Sequence, residues 1–229
     1  MLGAATQPGV GKGGTALSFG FSASDLPGGS WVVLSRVEAG LSEALSGRYE
    51  VVRLIGRGGM SSVFLARDLR HGRDVALKVM IPEQMASGGP DRFLAEIRVT
   101  AGLQHPNILP LFDSGEAAGC LYYIMPYVDG ESLDARLRRE RPLPLDSVRS
   151  IVDSVATALD HAHQRGIVHR DIKPGNVLLR GGETYVADFG ISLVLASVTT
   201  GTRLTATGAT LGTPVYMSPE QIDGAEVVD

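Results

Sequence analysis

Eight residues, His169-Arg170-Asp171-Ile172-Lys173-Pro174-Gly175-Asn176, constrain this chain more than any other stretch. A carboxylate, an ammonium, a guanidinium and an amide crowd between two apolar runs. Asp171 can accept or orient a hydroxyl proton. Lys173, two residues on, can neutralise a transferred phosphate, and Asn176 offers a neutral carbonyl oxygen to a hard cation. Phosphoryl transfer asks for such a set, because the protein has little covalent work to do and must position and neutralise instead. The competing reading is a polar turn between two strands, and partners elsewhere in the chain decide against it.

Those partners stand far apart in sequence. Order is expected to begin near Arg48, with Tyr49–Ile55 as a strand. Gly56-Arg57-Gly58-Gly59-Met60-Ser61-Ser62-Val63 follows as a glycine-rich turn between strands, where backbone N–H groups can approach phosphates without a Cβ in the way. Val75–Met80 is an apolar strand carrying one lysine, Lys78. Residues 91–103 show a helical apolar face of Phe93, Leu94, Ile97 and Ala101, with Glu96 set among them. A carboxylate beside an apolar face needs a partner, and Lys78 is the expected one. Leu109–Phe112 and Leu121–Met125 read as two further strands. Residues 145–165 form the strongest helical pattern, with Val148, Ile151, Val152, Val155, Leu159 and Ala162 in phase and Gly166 as its end. Val177–Leu179 and Tyr185–Ala187 form a hairpin that delivers Asp188-Phe189-Gly190, 17 residues after Asp171.

Together these motifs resemble the protein kinases, and the Lys173 form of the loop resembles their serine/threonine branch. Gly-Gly-Met in the glycine-rich turn and Ser218-Pro219-Glu220-Gln221 are similar to bacterial Hanks-type kinases. The resemblance covers roughly residues 48–222 and implies an α+β, two-lobe fold: a five-stranded antiparallel N-lobe sheet plus one helix, and a mainly helical C-lobe. It implies ATP and Mg²⁺ as cofactors, and proteins as substrates, the chain itself included by autophosphorylation. Asp171 becomes the base, Lys78 and Lys173 the phosphate-holding lysines, Glu96 the partner of Lys78, and Asn176 and Asp188 the metal ligands. Ile55, Gly56, Arg57, Gly58, Gly59, Met60, Ser61, Val63, Ala76, Met125, Val128 and Leu178 would surround the nucleotide. Ser61 stands where the third glycine of the family loop is found, and Pro126 where an acid is common. Thr205 or Thr207, in the Thr/Ser/Gly/Ala-rich stretch 191–211, is the expected phosphorylation site, its phosphate pairing with Arg170. Thr213 is placed to touch Asp171 and Lys173.

The expected domains are a Gly/Ser-rich extension at 1–47, an N-lobe at 48–126, and a hinge with partial C-lobe at 127–229. Ten glycines and seven serines in residues 1–47 read as disorder, with a short helix near Glu38–Leu45. Gly9–Thr15 fails as a P-loop, because Gly13 follows Lys12 where Ser or Thr is required. A family large lobe continues past residue 229 with further helices, so the apolar face of 145–165 is expected to be exposed and activity impaired. The alternatives are therefore an impaired kinase fragment, a pseudokinase-like ATP-binding module, or a small-molecule phosphotransferase. A net charge of −4 argues against nucleic-acid binding. No run is long and apolar enough to span a bilayer, and no signal peptide is read. One cysteine, Cys120, precludes an intrachain disulfide and fits a reducing, cytoplasmic compartment.

Overall fold

A computed structural model describes residues 30–58, 61–80, 89–189 and 214–222. The first lobe is built on strands β1 (Tyr49–Arg57), β2 (Ser61–Asp68), β3 (Arg73–Met80), β4 (Asp113–Ala117) and β5 (Cys120–Pro126). They form one antiparallel sheet in the order β1-β2-β3-β5-β4. Successive side chains on a strand point to opposite faces, and here both faces are covered. Val75, Leu77 and Val79 of β3 join Tyr122 and Ile124 of β5 in a core with Leu41 and Leu45. Ala76 and Met80 join Leu121, Tyr123 and Met125 in a second core with Phe93 and Ile97. A strand buried on both sides loses the apolar/polar alternation, which is why β5 is buried from Cys120 to Met125.

Helix α1 (Ser30–Ala44) supplies Leu41 to the first core, the turn after it supplies Leu45, and helix α2 (Gly89–Thr100) supplies Phe93 and Ile97 to the second. The short helix expected near Glu38–Leu45 is present but longer, starting at Ser30, and it packs on the N-lobe sheet as a second helix beside α2. Complete burial of Leu41 accounts for this: one leucine taken out of water contributes about 1.5–3 kcal/mol, enough to hold a helix of middling propensity.

Leu109–Phe112 is not a strand; β4 starts at Asp113. Its apolar residues are used elsewhere. The Leu109 N–H donates to Val186 O, the Val186 N–H donates to Asn107 O, and Ile108 forms a bridge with Val186. This segment therefore joins the sheet of one lobe to the second lobe.

The second lobe holds β6 (Glu131–Ser132), α3 (Leu133–Arg139), α4 (Leu145–His163), β7 (Val177–Arg180), β8 (Glu183–Val186) and a short α5 (Pro219–Ile222). Strands β6, β7 and β8 form a small antiparallel sheet. The Ser132 side chain caps α3 by accepting from the Ala135 N–H. Arg136, Arg138 and Arg139 pair with Glu140, Asp134 and Glu131 along a solvated helix surface. Gly166 (φ +70°) closes α4 in the left-handed region, with Gly166 N–H on His163 O and Ile167 N–H on Ala162 O. Ile151, Ala158 and Ala162 of α4 are buried, while Leu145, Val148 and Val152 are exposed. At Gly130 a Cβ would lie 2.0 Å from Leu179 O, so the chain leaving β5 crosses β7 where no side chain fits.

Candidate active site

Strand parity decides what faces the space between the lobes. Lys78 lies opposite Val63 on β2 and Tyr123 on β5, on the sheet face that carries Ala76 and Met125. Its Nζ donates to Asp188 Oδ2 at 2.5 Å, across a sequence separation of 110 residues. Both side chains are about 15% exposed. Tyr123, fully buried, donates its hydroxyl to the other oxygen, Asp188 Oδ1, also at 2.5 Å. Burial alone would raise the Asp188 carboxyl, but the Lys78 charge and the hydrogen bonds from Lys78 and Tyr123 outweigh it and hold the group below the usual carboxylate range. Burial, reinforced by the Asp188 charge, pushes the Tyr123 hydroxyl well above its usual value, so it remains a donor.

The loop 169–176 is pinned to the end of β8 at both of its ends. The His169 ring donates from Nε2 to Ala187 O at 2.9 Å, and its Nδ1 accepts from the Asp171 N–H at 3.2 Å. The Ala187 N–H donates to Asn176 O at 2.9 Å. Both backbone groups of Ala187 are thus tied to the loop, and Ala187 immediately precedes Asp188. This fixes Asp188 relative to Asp171 through the backbone. Burial depresses the His169 pKa, and the Ala187 carbonyl offsets this only in part, so the ring is neutral. Phe189 packs on it with ring centroids 4.6 Å apart.

Within the loop, Asp171 Oδ2 accepts from Lys173 Nζ at 2.7 Å and from Asn176 Nδ2 at 2.9 Å. The same Nδ2 donates to Asp171 O at 2.7 Å. The carboxylate is thereby oriented by its own loop. With its nitrogen committed, Asn176 has its carbonyl oxygen left to act as an acceptor. A carboxylate on Asp188 and an amide oxygen on Asn176 are hard donors that fit a Mg²⁺-type ion, which takes few protein ligands and completes its shell with water and phosphate. No group of three or more His, Cys, Asp or Glu residues suited to a metal occurs among the described residues.

The residues expected to wall the nucleotide converge. Ile55, Ala76, Met125, Val128 and Leu178 share one apolar cluster, with Val63 packed against it. Gly56 pairs with Val63, Arg57 pairs with Ser62, and the Gly58 N–H donates to Ser61 O, so the glycine-rich stretch is a hairpin. Gly59, Met60, Thr205, Thr207 and Thr213 lie outside the described residues, as does the Glu96 side chain, though Glu96 itself is on α2. Arg170 sits at φ +64° with its backbone oxygen accepting from Gln221 Nε2 at 2.8 Å, and its own Nε is buried without a hydrogen-bond partner.

Sequence reasoning gave no role to Tyr123, His169 or Gln221. Tyr123 had a signal: it is two residues before Met125 on a strand, hence on the same face. His169 and Gln221 act through backbone groups, which leave no mark in the sequence.

Comparison with known proteins agrees with this geometry. A family model described as "Protein kinase domain" matches residues 49–229. The serine/threonine-protein kinase PrkC of Bacillus subtilis is 39% identical over 186 residues, covering 80% of this chain and 28% of PrkC. The serine/threonine-protein kinase PknB of Mycobacterium leprae is 42% identical over 191 residues, covering 80% of this chain and 30% of PknB. A crystal structure of a Mycobacterium tuberculosis PknI kinase domain double mutant superposes with a TM-score of 0.62 at 36% identity, over 79% of this chain and 68% of that one. The chain therefore spans under a third of the length of these curated relatives.

Proposed function

The chain belongs to the protein kinase domain family, and from that premise we propose that it carries the ATP-dependent phosphotransfer site of a serine/threonine protein kinase. The observation that supports this most is the meeting of Lys78, from the N-lobe sheet, with Asp188, whose neighbour Ala187 is tied to the loop of Asp171, Lys173 and Asn176. Mg²⁺-ATP, when bound, supplies the phosphoryl group and the cation charge.

The chain's own residues do the rest. Asp171, oriented by Asn176 and Lys173, accepts or orients the proton of a Ser or Thr hydroxyl. Lys173, already 2.7 Å from that carboxylate, is placed to neutralise the phosphoryl group as it arrives. Lys78 holds the nucleotide phosphates once it leaves Asp188. Asp188 and Asn176 hold the cation, and Ile55, Val63, Ala76, Met125, Val128 and Leu178 exclude water from the base. Backbone N–H groups of residues 56–61 cover the phosphates. The buried, unpartnered Arg170 Nε supports a role for Arg170 in receiving a phosphate on Thr205 or Thr207, and Thr213 would touch Asp171 and Lys173. Protein substrates, this chain among them, and a cytoplasmic site of action complete the reading; no helix among the described residues is long and apolar enough to cross a membrane.

The test is labelled-ATP autophosphorylation. Asp171→Asn is expected to lower the rate by about 10²–10⁴-fold, the share of a positioned base, and to leave nucleotide binding intact. Equal rates in wild type and variant would overturn the assignment.

A further inference from the structure

Two groups hold the Asp188 carboxylate, and they differ in what they are free to do. Lys78 sits on a flexible stem with three donors. Tyr123 has a rigid ring on two torsions, is fully buried, and offers one proton. The structure gives that proton one acceptor, Asp188 Oδ1. When Lys78 turns to phosphates, Oδ2 loses its partner. A partly buried carboxylate released on both sides would rotate about its terminal torsion, and the cation would then have to pay for ordering it.

We propose that Tyr123 is a positioning residue: it holds Asp188 through Oδ1 while Lys78 is exchanged from Oδ2 to the phosphates of a bound nucleotide, so the carboxylate meets the cation already oriented. This rests on the phosphotransfer reading given above. A carboxylate oxygen carries two lone pairs, so the hydroxyl and a cation need not compete for Asp188. Hydrogen bonds behind a ligating group typically account for 10–100-fold in metal affinity. The backbone supports the same division of labour. Asp188 sits at φ +67°, and Ala187 is tied by both its N–H and its carbonyl. The main chain thus fixes where the side chain starts, and Tyr123 fixes where it ends. Were Tyr123 only filling space, Phe would serve as well, since it keeps the ring and loses only the hydroxyl.

The test uses the whole chain with Mn²⁺ as the probe, followed by electron paramagnetic resonance in the presence of a non-hydrolysable ATP analogue. Affinity for the analogue is also measured in EDTA by calorimetry. Tyr123→Phe is expected to bind the analogue in EDTA as wild type does, yet to need about tenfold more Mn²⁺ to reach half-saturation. Tyr123→Met, a second apolar replacement, is expected to shift the same way. A Mn²⁺ midpoint unchanged in both variants overturns the proposal and leaves the phosphotransfer reading standing. Loss of metal-free nucleotide affinity alongside the metal shift overturns it too, since the tyrosine is then structural. If the wild-type chain binds neither analogue nor Mn²⁺, the phosphotransfer reading falls and this inference with it.

Discussion

Burial keeps His169 neutral, and its two hydrogen bonds require that form. Nε2 donates to Ala187 O while Nδ1 accepts from the Asp171 N–H, so a proton added at Nδ1 would point at another donor. Burial lowers the ring's pKa first and most. A histidine with a depressed folded pKa contributes stability that is present above the unfolded value of about 6.5 and lost as pH falls through the folded value, with a slope of at most about 1.4 kcal/mol per unit. Urea unfolding of the wild type is therefore expected to weaken as the pH falls below about 6.5. His169→Leu should flatten that decline. At pH 7.5 it should cost about 1–3 kcal/mol, because Ala187 O and the Asp171 N–H lose their partner. A wild-type curve as flat as the variant's over that window would show that the ring does not stay neutral on folding.

At the scale of elements, α1 does for the outer sheet face what α2 does for the inner one. Leu41→Ala is expected to destabilise the chain by about 2–5 kcal/mol, read from urea unfolding, since the site is sealed and can collapse only partly. The C-terminal half of that helix was legible near Glu38–Leu45, but its start at Ser30 and its packing on the sheet were not, because Gly and Ser set the tone of residues 1–47. Strands β1, β2, β3 and β5, helix α4 and the β7–β8 hairpin were legible, because each has its own period or its own turn residues. The Leu109–Phe112 run misled for a physical reason. Apolar character states that a segment is buried, not which partner buries it, and here Val186 of the other lobe takes the place of a sheet neighbour. The nearness of Lys78 to Asp188 and of Asp171 to Asn176 was legible through the motifs' resemblance to the protein kinases, while the side chain of Glu96, expected in the same cleft, lies outside the described residues. The grip of Tyr123 on Asp188 was not legible, because a tyrosine inside an apolar run reads as core.

Across the whole molecule, the lobes meet through Lys78 and Tyr123 on Asp188, through the Ile108–Leu109 segment on Val186, and through the His105–His161 ring contact at 5.0 Å. A ligand that binds between them stabilises both. A Mg²⁺-nucleotide analogue at a hundred times its dissociation constant is expected to add about 2.7 kcal/mol to unfolding. Calorimetry should find that gain abolished in Lys78→Met, which also lowers ligand-free stability by about 3 kcal/mol by leaving Asp188 without its counter-charge. A full ligand-induced gain in that variant would remove Lys78 from the phosphate site. The two-sided sheet carries one more implication. Odd and even positions of β3 are divided between α1 and the cleft: Val75, Leu77 and Val79 on one side, Ala76 and Lys78 on the other. Deleting a single residue ahead of Lys78 would reverse that assignment, driving an ammonium group under α1 and a valine toward Asp188. Chemistry and packing thus share a single reading frame along this strand, and neither can slip without the other.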